Sequence, residues 1–300
     1  MRGRRYKTGV IKLPPDTTVQ GGFAAIMRDE LNSLIENRIA IVNGGGMERV
    51  HKMRVALRRM NATLMLFKDV LASQATGEIR KSMKWLSDRL GTARNWDVFE
   101  SRTLPRLRPH PTQSAATERI GEEVRSRRRM ADRGAIRALR SIRYRSFIRI
   151  TRRWLADARW CEDLAPTLRP LLDDPLMEIG KKWLSRSARR ARKAGRGIAD
   201  LKAKQRHRLR IALKRLRYET DSLSGLYPRR RVEPYVNALC ILQDVLGELN
   251  DLAVARQLLR LIRHRDRAAM HERLRKAKVK LLKSLPPAWE AFRAVKPFWR

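Results

Sequence analysis

The chain has 300 residues, 43% of them hydrophobic, which is enough to bury a core without covalent staples. Its 69 lysines and arginines (52 of them arginine) face 30 aspartates and glutamates, a formal net charge of +39 that opposes compaction and calls for a polyanionic partner. No run reaches the roughly 18 apolar residues of a membrane span, no apolar stretch follows the basic start as a secretory signal requires, and two cysteines make no disulfide framework, so a cytoplasmic setting is expected.

Residues 1–17 are basic, contain Pro14-Pro15 and lack periodicity; they read as a mobile tail. From Thr18 onward, Phe23, Ile26, Met27, Leu31, Leu34, Ile35 and Ile39 recur at three- and four-residue steps, the mark of an amphipathic helix, which Gly44-Gly45-Gly46 ends. Further helices are expected over about 47–71 and 76–90. Pro105, Pro109 and Pro111 mark a long loop before a single, very basic helix over about 116–158. Pro166, Pro170 and Pro175 mark a second break. Helices then follow over about 176–194, 200–226, 232–246, 250–265 and 268–285, the last closed by Pro286-Pro287. Strand alternation is absent and β-branched residues are sparse, so the fold class is all-α. Trp85, Trp96, Trp154, Trp160 and Trp183 lie among apolar residues and are assigned to the core.

Self-comparison gives the strongest signal. HKMRVALRRM (51–60) lies over HRLRIALKRL (207–216) at an offset of 156, with five of ten positions identical and the rest chemically similar. At the same offset, WLSDRLGTARNWDV (85–98) lies over ILQDVLGELNDLAV (241–254), matching Leu86, Asp88, Leu90, Gly91 and Val98 with Leu242, Asp244, Leu246, Gly247 and Val254. Two blocks at one offset point to a tandem duplication: a first copy over about 18–160 and a second over about 176–295. Two such helical bundles, related by a pseudo-twofold axis, would bring both copies of the basic helix to a shared surface.

At 100° per residue, His51, Lys52, Arg54, Arg58 and Arg59 spread over one side of the first copy, while Met53, Leu57, Met60, Leu64 and Phe67 gather on the other. In the second copy His207, Arg210, Lys214 and Arg217 follow the same course, flanked by Arg208 and Arg215. A cation about every 5 Å along the axis suits a chain of phosphates, and the planar arginine fork can donate two hydrogen bonds to each. Asp88, Asp244, Asn95, Asp97, Asn250 and Asp251 read as structural groups that pair with the arginine row or cap helices. Glycine-rich phosphate loops, G-x-S-x-G and H-E-x-x-H are missing, as is an acidic cluster to hold magnesium, so no enzyme activity, catalytic residue, metal or cofactor is expected. His264 and His271, seven apart, are too far along one helix to share a metal.

The blocks VHKMRVALRRM (50–60), HRLRIALKRLRYE (207–219) and LQDVLGELND (242–251) resemble the CHAD family, the conserved histidine α-helical domain, over about residues 18–295. The resemblance implies two helical bundles related by pseudo-twofold symmetry around a basic central cavity. It also implies binding of inorganic polyphosphate and association with polyphosphate granules. By position, the family's histidine and basic residues fall on His51, Arg54, Arg58 and Arg59, and on His207, Arg210, Lys214, Arg215 and Arg217. The chain departs from the family pattern at Asn61, which stands opposite Arg217. The alternating glutamates of the triphosphate-processing CYTH domain, found beside many CHAD domains, are absent, so a stand-alone CHAD protein is expected. The rival readings are non-specific nucleic-acid binding through the same basic surface, polyphosphate or nucleotide cleavage, and metal chelation by His51 and His207.

Overall fold

The structure is a computed structural model that describes residues 11–44, 46–71, 74–107, 115–162, 164–262 and 267–300. The described residues are almost entirely helical, as the sequence predicts, with one isolated antiparallel bridge between Thr18 and Pro175. Helices α1 (Val19–Val42), α2 (Met47–Leu66) and α3 (Gln74–Val98) come first. A π-helical turn, Phe99–Thr103, carries α3 into the short α4 (Leu104–Leu107). Next come α5 (Ala115–Arg140), α6 (Ile142–Ala156) and α7 (Leu176–Ala194). The chain closes with α8 (Ala203–Leu223), α9 (Arg229–Leu259), α10 (Arg267–Lys283) and α11 (Leu285–Ala294).

Local chemistry sets several boundaries that differ from expectation. The basic stretch expected as one helix is two, because the Ser141 hydroxyl accepts from the Tyr144 N–H at 3.2 Å and starts α6 afresh. The segments 232–246 and 250–265 join into α9: Gly247 costs about 1 kcal/mol of helix propensity, and burial of Leu242, Val245, Leu246, Ala255 and Leu259 on either side outweighs it. Pro286-Pro287 does not close a helix but opens α11, where a missing N–H is harmless. Pro109, Pro111 and His264 lie outside the described residues.

The apolar faces read from the sequence become the core. Met53, Leu57, Met60, Leu64 and Phe67 are all buried, as are Leu209, Leu213 and Leu216 of α8. They join one continuous cluster that also takes in α1, α7 and α9, so the two halves share a core instead of forming two separate ones. A second cluster, with Trp96, Phe99, Ile120, Val124, Leu259 and Leu274, closes the far ends of α3, α5, α9 and α10. Trp154, Trp160 and Trp183 are buried as expected, while Trp85 is half-buried under the Arg143 guanidinium, 4.5 Å from its ring. Ile39 departs from its face and stays 49% exposed.

The mobile-tail expectation covers residues 1–17, of which 1–10 lie outside the described residues. Residues 11–17 are held to the body. Leu13 is buried, Ile11 packs on the core, and the Thr17 carbonyl accepts from the Leu176 N–H at 2.8 Å. The Ile11 carbonyl runs so close to Gly225 that a Cβ there would sit 2.1 Å from it. Gly225→Ala should therefore cost about 1–3 kcal/mol of overpacking. The expected readout is a thermal midpoint lower by a few degrees in calorimetry and faster tryptic cleavage at Lys12.

Candidate functional site

Helix α2 packs along α8, with α3 and α9 flanking the pair. Between them, and between the two apolar clusters, lies a cavity of about 830 Å³. Its lining brings together five of the nine residues singled out from the sequence: His51, Arg54 and Arg58 from α2, and Arg210 and Lys214 from α8. Both helices thus turn part of a basic stripe into the same space.

The other four expected site residues stand elsewhere. Arg59 turns toward the buried Glu30 of α1, with 3.9 Å between Nε and Oε1. Arg215 donates to Glu219 at 2.6 Å and to the Met65 carbonyl at 3.3 Å. Arg217 donates to Asp221 at 2.8 Å and contacts the Cys240 sulfur. Arg215 and Arg217 are committed to buried carboxylates beside the cavity, while Arg59 lies near Glu30 without a hydrogen bond at its Nε. His207 opens onto a neighbouring space between α8, α9 and α10, so the two repeat histidines do not face each other.

Arg94, Arg102, Tyr218 and Glu248 are lining groups not assigned from the sequence, whereas Asn95, Asp244, Asn250 and Asp251 are ones it reads as partners of the arginine row or as caps. Arg94 and Asn95 come from α3, and Arg102 comes from the π-helical turn, which re-aims the chain beyond Val98. Tyr218 stands under Arg58, 6.0 Å from guanidinium to ring centre. Its position was readable: 207, 210, 214 and 218 share one helical stripe, whereas 215 and 217 fall to either side of it. Asp244, Glu248, Asn250 and Asp251 line the α9 wall, so Asp244 belongs to the cavity while its repeat mate Asp88 is exposed and binds Lys84 at 2.8 Å. Asp97 is buried against Arg94.

The electrostatics follow from crowding. Six cations, Arg54, Arg58, Arg94, Arg102, Arg210 and Lys214, share the lining with three carboxylates. The Nε–H groups of Arg54, Arg58 and Arg210 are buried with no hydrogen-bond partner. Burial lowers the Arg54 pKa to about 10, and the neighbouring Arg58 and Arg94 push it the same way. Arg210 is lowered too, by burial first. Lys214 falls to about 7, from burial and then from Arg210, Arg58 and Arg54, with Asp251 pulling back. Burial raises Asp251, against the pull of Asn250, Lys214, Arg102 and Arg210. On α3, Gly91 makes room for this cluster, since a Cβ there would lie 2.8 Å from the Arg54 Nη1.

The family model described as the CHAD domain matches residues 25–260. The chain belongs to the CHAD domain family. Among solved structures it is similar to the crystal structure of the CHAD domain from the plant Ricinus communis, at 27% identity and a TM-score of 0.78, covering 98% of each chain. It also shares its fold with PptA from Streptomyces chartreusis, at 18% identity and a TM-score of 0.57, covering 93% of this chain and 99% of that one. No curated protein matches the chain significantly in sequence. No helix among the described residues is long and apolar enough to cross a membrane.

Lys214 supplies a test of the cavity's charge. Its folded pKa, about 7, lies below the ordinary 10.5, so the unfolded chain holds the proton more tightly. The cost to stability is complete below pH 7 and disappears as pH rises toward 10.5. Lys214→Met should therefore raise the thermal midpoint clearly at pH 6 and much less at pH 10, measured by calorimetry in matched salt.

Proposed function

We propose that this CHAD protein binds inorganic polyphosphate, without turnover, in the cavity between α2 and α8. The observation that carries the reading is the gathering of six cations, Arg54, Arg58, Arg94, Arg102, Arg210 and Lys214, around one cavity with only three carboxylates in its lining. Crowding like charges is costly, and a phosphate chain, whose oxygens suit the guanidinium fork, neutralises several of them at once. The depressed proton affinity of Lys214 supports it, because an anion entering the cavity would restore the charge that its neighbours oppose. Arg215 and Arg217, held by carboxylates, and Arg59, turned toward Glu30, act as a frame beside the cavity; the ligand meets His51, Arg54, Arg58, Arg210 and Lys214 first.

The reading includes the duplication. Shifted by 156 residues, the bounds of α1, α2 and α3 fall within five residues of those of α7, α8 and α9. That agreement supports two copies of one helical unit whose basic helices meet around a central cavity. A cytoplasmic protein of this kind would sit at polyphosphate granules, held there by the polymer.

Nucleic acid is the rival polyanion, and the decisive experiment is a titration of long polyphosphate against duplex and single-stranded DNA across a salt series. Tighter binding of polyphosphate at equal phosphate concentration is expected, with a steep salt dependence. Displacement of polyphosphate by DNA would reverse the assignment. Arg54→Glu combined with Arg210→Glu should weaken polyphosphate binding about a hundredfold, from two lost charge-assisted contacts. Reversal of Arg145 and Arg149, exposed on α6, should change it only about twofold. Equal losses would mean that the charge acts diffusely and that the cavity is not the site. No phosphate release above background is expected with magnesium or manganese.

A further inference from the structure

A second cavity, of about 1050 Å³, adjoins the first and shares Arg210 and Asn250 with it. Both linings are cationic, the second with Arg206, Arg210, Arg256, Arg260, Arg275 and Lys278, but the second adds a run of leucines that the first lacks. Leu246, Leu249 and Leu252 of α9 and Leu274 of α10 form an aliphatic wall, and the small Ala203 and Ala253 keep the space open. At one side stand Arg206, His207 and Arg210, on the first turns of α8, where the helix dipole adds positive potential. The carboxylate among its described lining residues, Glu272, is already held by Arg275 at 2.7 and 2.8 Å. A bare phosphate chain, polar throughout, gains nothing from four leucines; a phosphate joined to an apolar body gains from both walls.

We propose that this cavity binds an organophosphate. Its apolar body lies on the leucines of α9 and α10, and its phosphate meets Arg206, His207 and Arg210. Arg210 is the hinge between the two cavities, so a longer phosphate tail on the same molecule continues toward Lys214 and Arg58. The inference rests on the polyanion reading of the first cavity only for that continuation.

The test is calorimetric titration of the full chain at one salt concentration with adenosine triphosphate against inorganic tripolyphosphate, and dodecyl phosphate against inorganic phosphate. At least one organic probe should bind about tenfold or more tighter than its inorganic counterpart. Whichever pair shows the gap tells a nucleotide-like body from a lipid-like one. Ala253→Trp, at an exposed position of α9, fills the cavity and should cut the advantage to about twofold or less, with long-polyphosphate binding unchanged. Equal binding of organic and inorganic probes, or an advantage that survives Ala253→Trp, would overturn the proposal. Organic-probe binding without any affinity for long polyphosphate would instead overturn the reading of the first cavity and leave this site standing.

Discussion

Packing α2 against α8 forces guanidinium and ammonium groups of like sign into one poorly solvated space. Each helix alone could carry its cations into water at little cost. Docked, they lose proton affinity, to about 10 at Arg54 and about 7 at Lys214, first through burial and then through one another's charge. What holds the helices together in spite of this lies on their opposite faces. Met53, Leu57 and Met60 on α2 and Leu209, Leu213 and Leu216 on α8 are all buried in the shared core. At about 1.5–3 kcal/mol for each large apolar side chain, that burial exceeds the repulsion among a few partly hydrated cations.

The frame around the cavity divides the arginines by role. Those a quarter-turn off the facing stripe meet carboxylates: Arg59 meets Glu30, Arg215 meets Glu219 and Arg217 meets Asp221. Burial raises all three acids, Glu30 to about 8, and the arginines oppose that rise. Removing one partner would leave its mate buried and uncompensated, so these pairs fix geometry more than they add stability. Arg54, Arg58 and Arg210, on the stripe itself, line the space that a ligand would enter.

The two flanking walls are not alike, although they occupy matching places in the chain. Around α3 and its π-helical turn the wall is basic, with Arg94 and Arg102; along α9 it is acidic, with Asp244, Glu248 and Asp251. The acidic wall tempers the charge near Lys214 and Arg210, so the cavity has a strongly cationic side and a balanced one. The neighbouring cavity opens from the balanced side, through Arg210 and Asn250, and sets an aliphatic wall of four leucines beside further arginines.

The sequence by itself determined the helical class and the apolar faces of α1, α2 and α8. It also determined the stripe His51, Arg54, Arg58 with its counterpart Arg210 and Lys214, because a 3.6-residue period acts within a single helix and is written in adjacent residues. The helical period sets Arg59, Arg215 and Arg217 beside the stripe, and Glu219 and Asp221 lie one turn beyond their arginines, but nothing in the sequence shows that these arginines are turned away from the cavity. For Arg59 the partner, Glu30, comes from another helix. Nor could the sequence assign Arg102, which depends on a π-helical turn with no sequence marker, or the separation of His207 from His51. Tertiary structure alone decided those, because proximity between helices depends on how their faces dock, and docking is settled by the packed core as a whole.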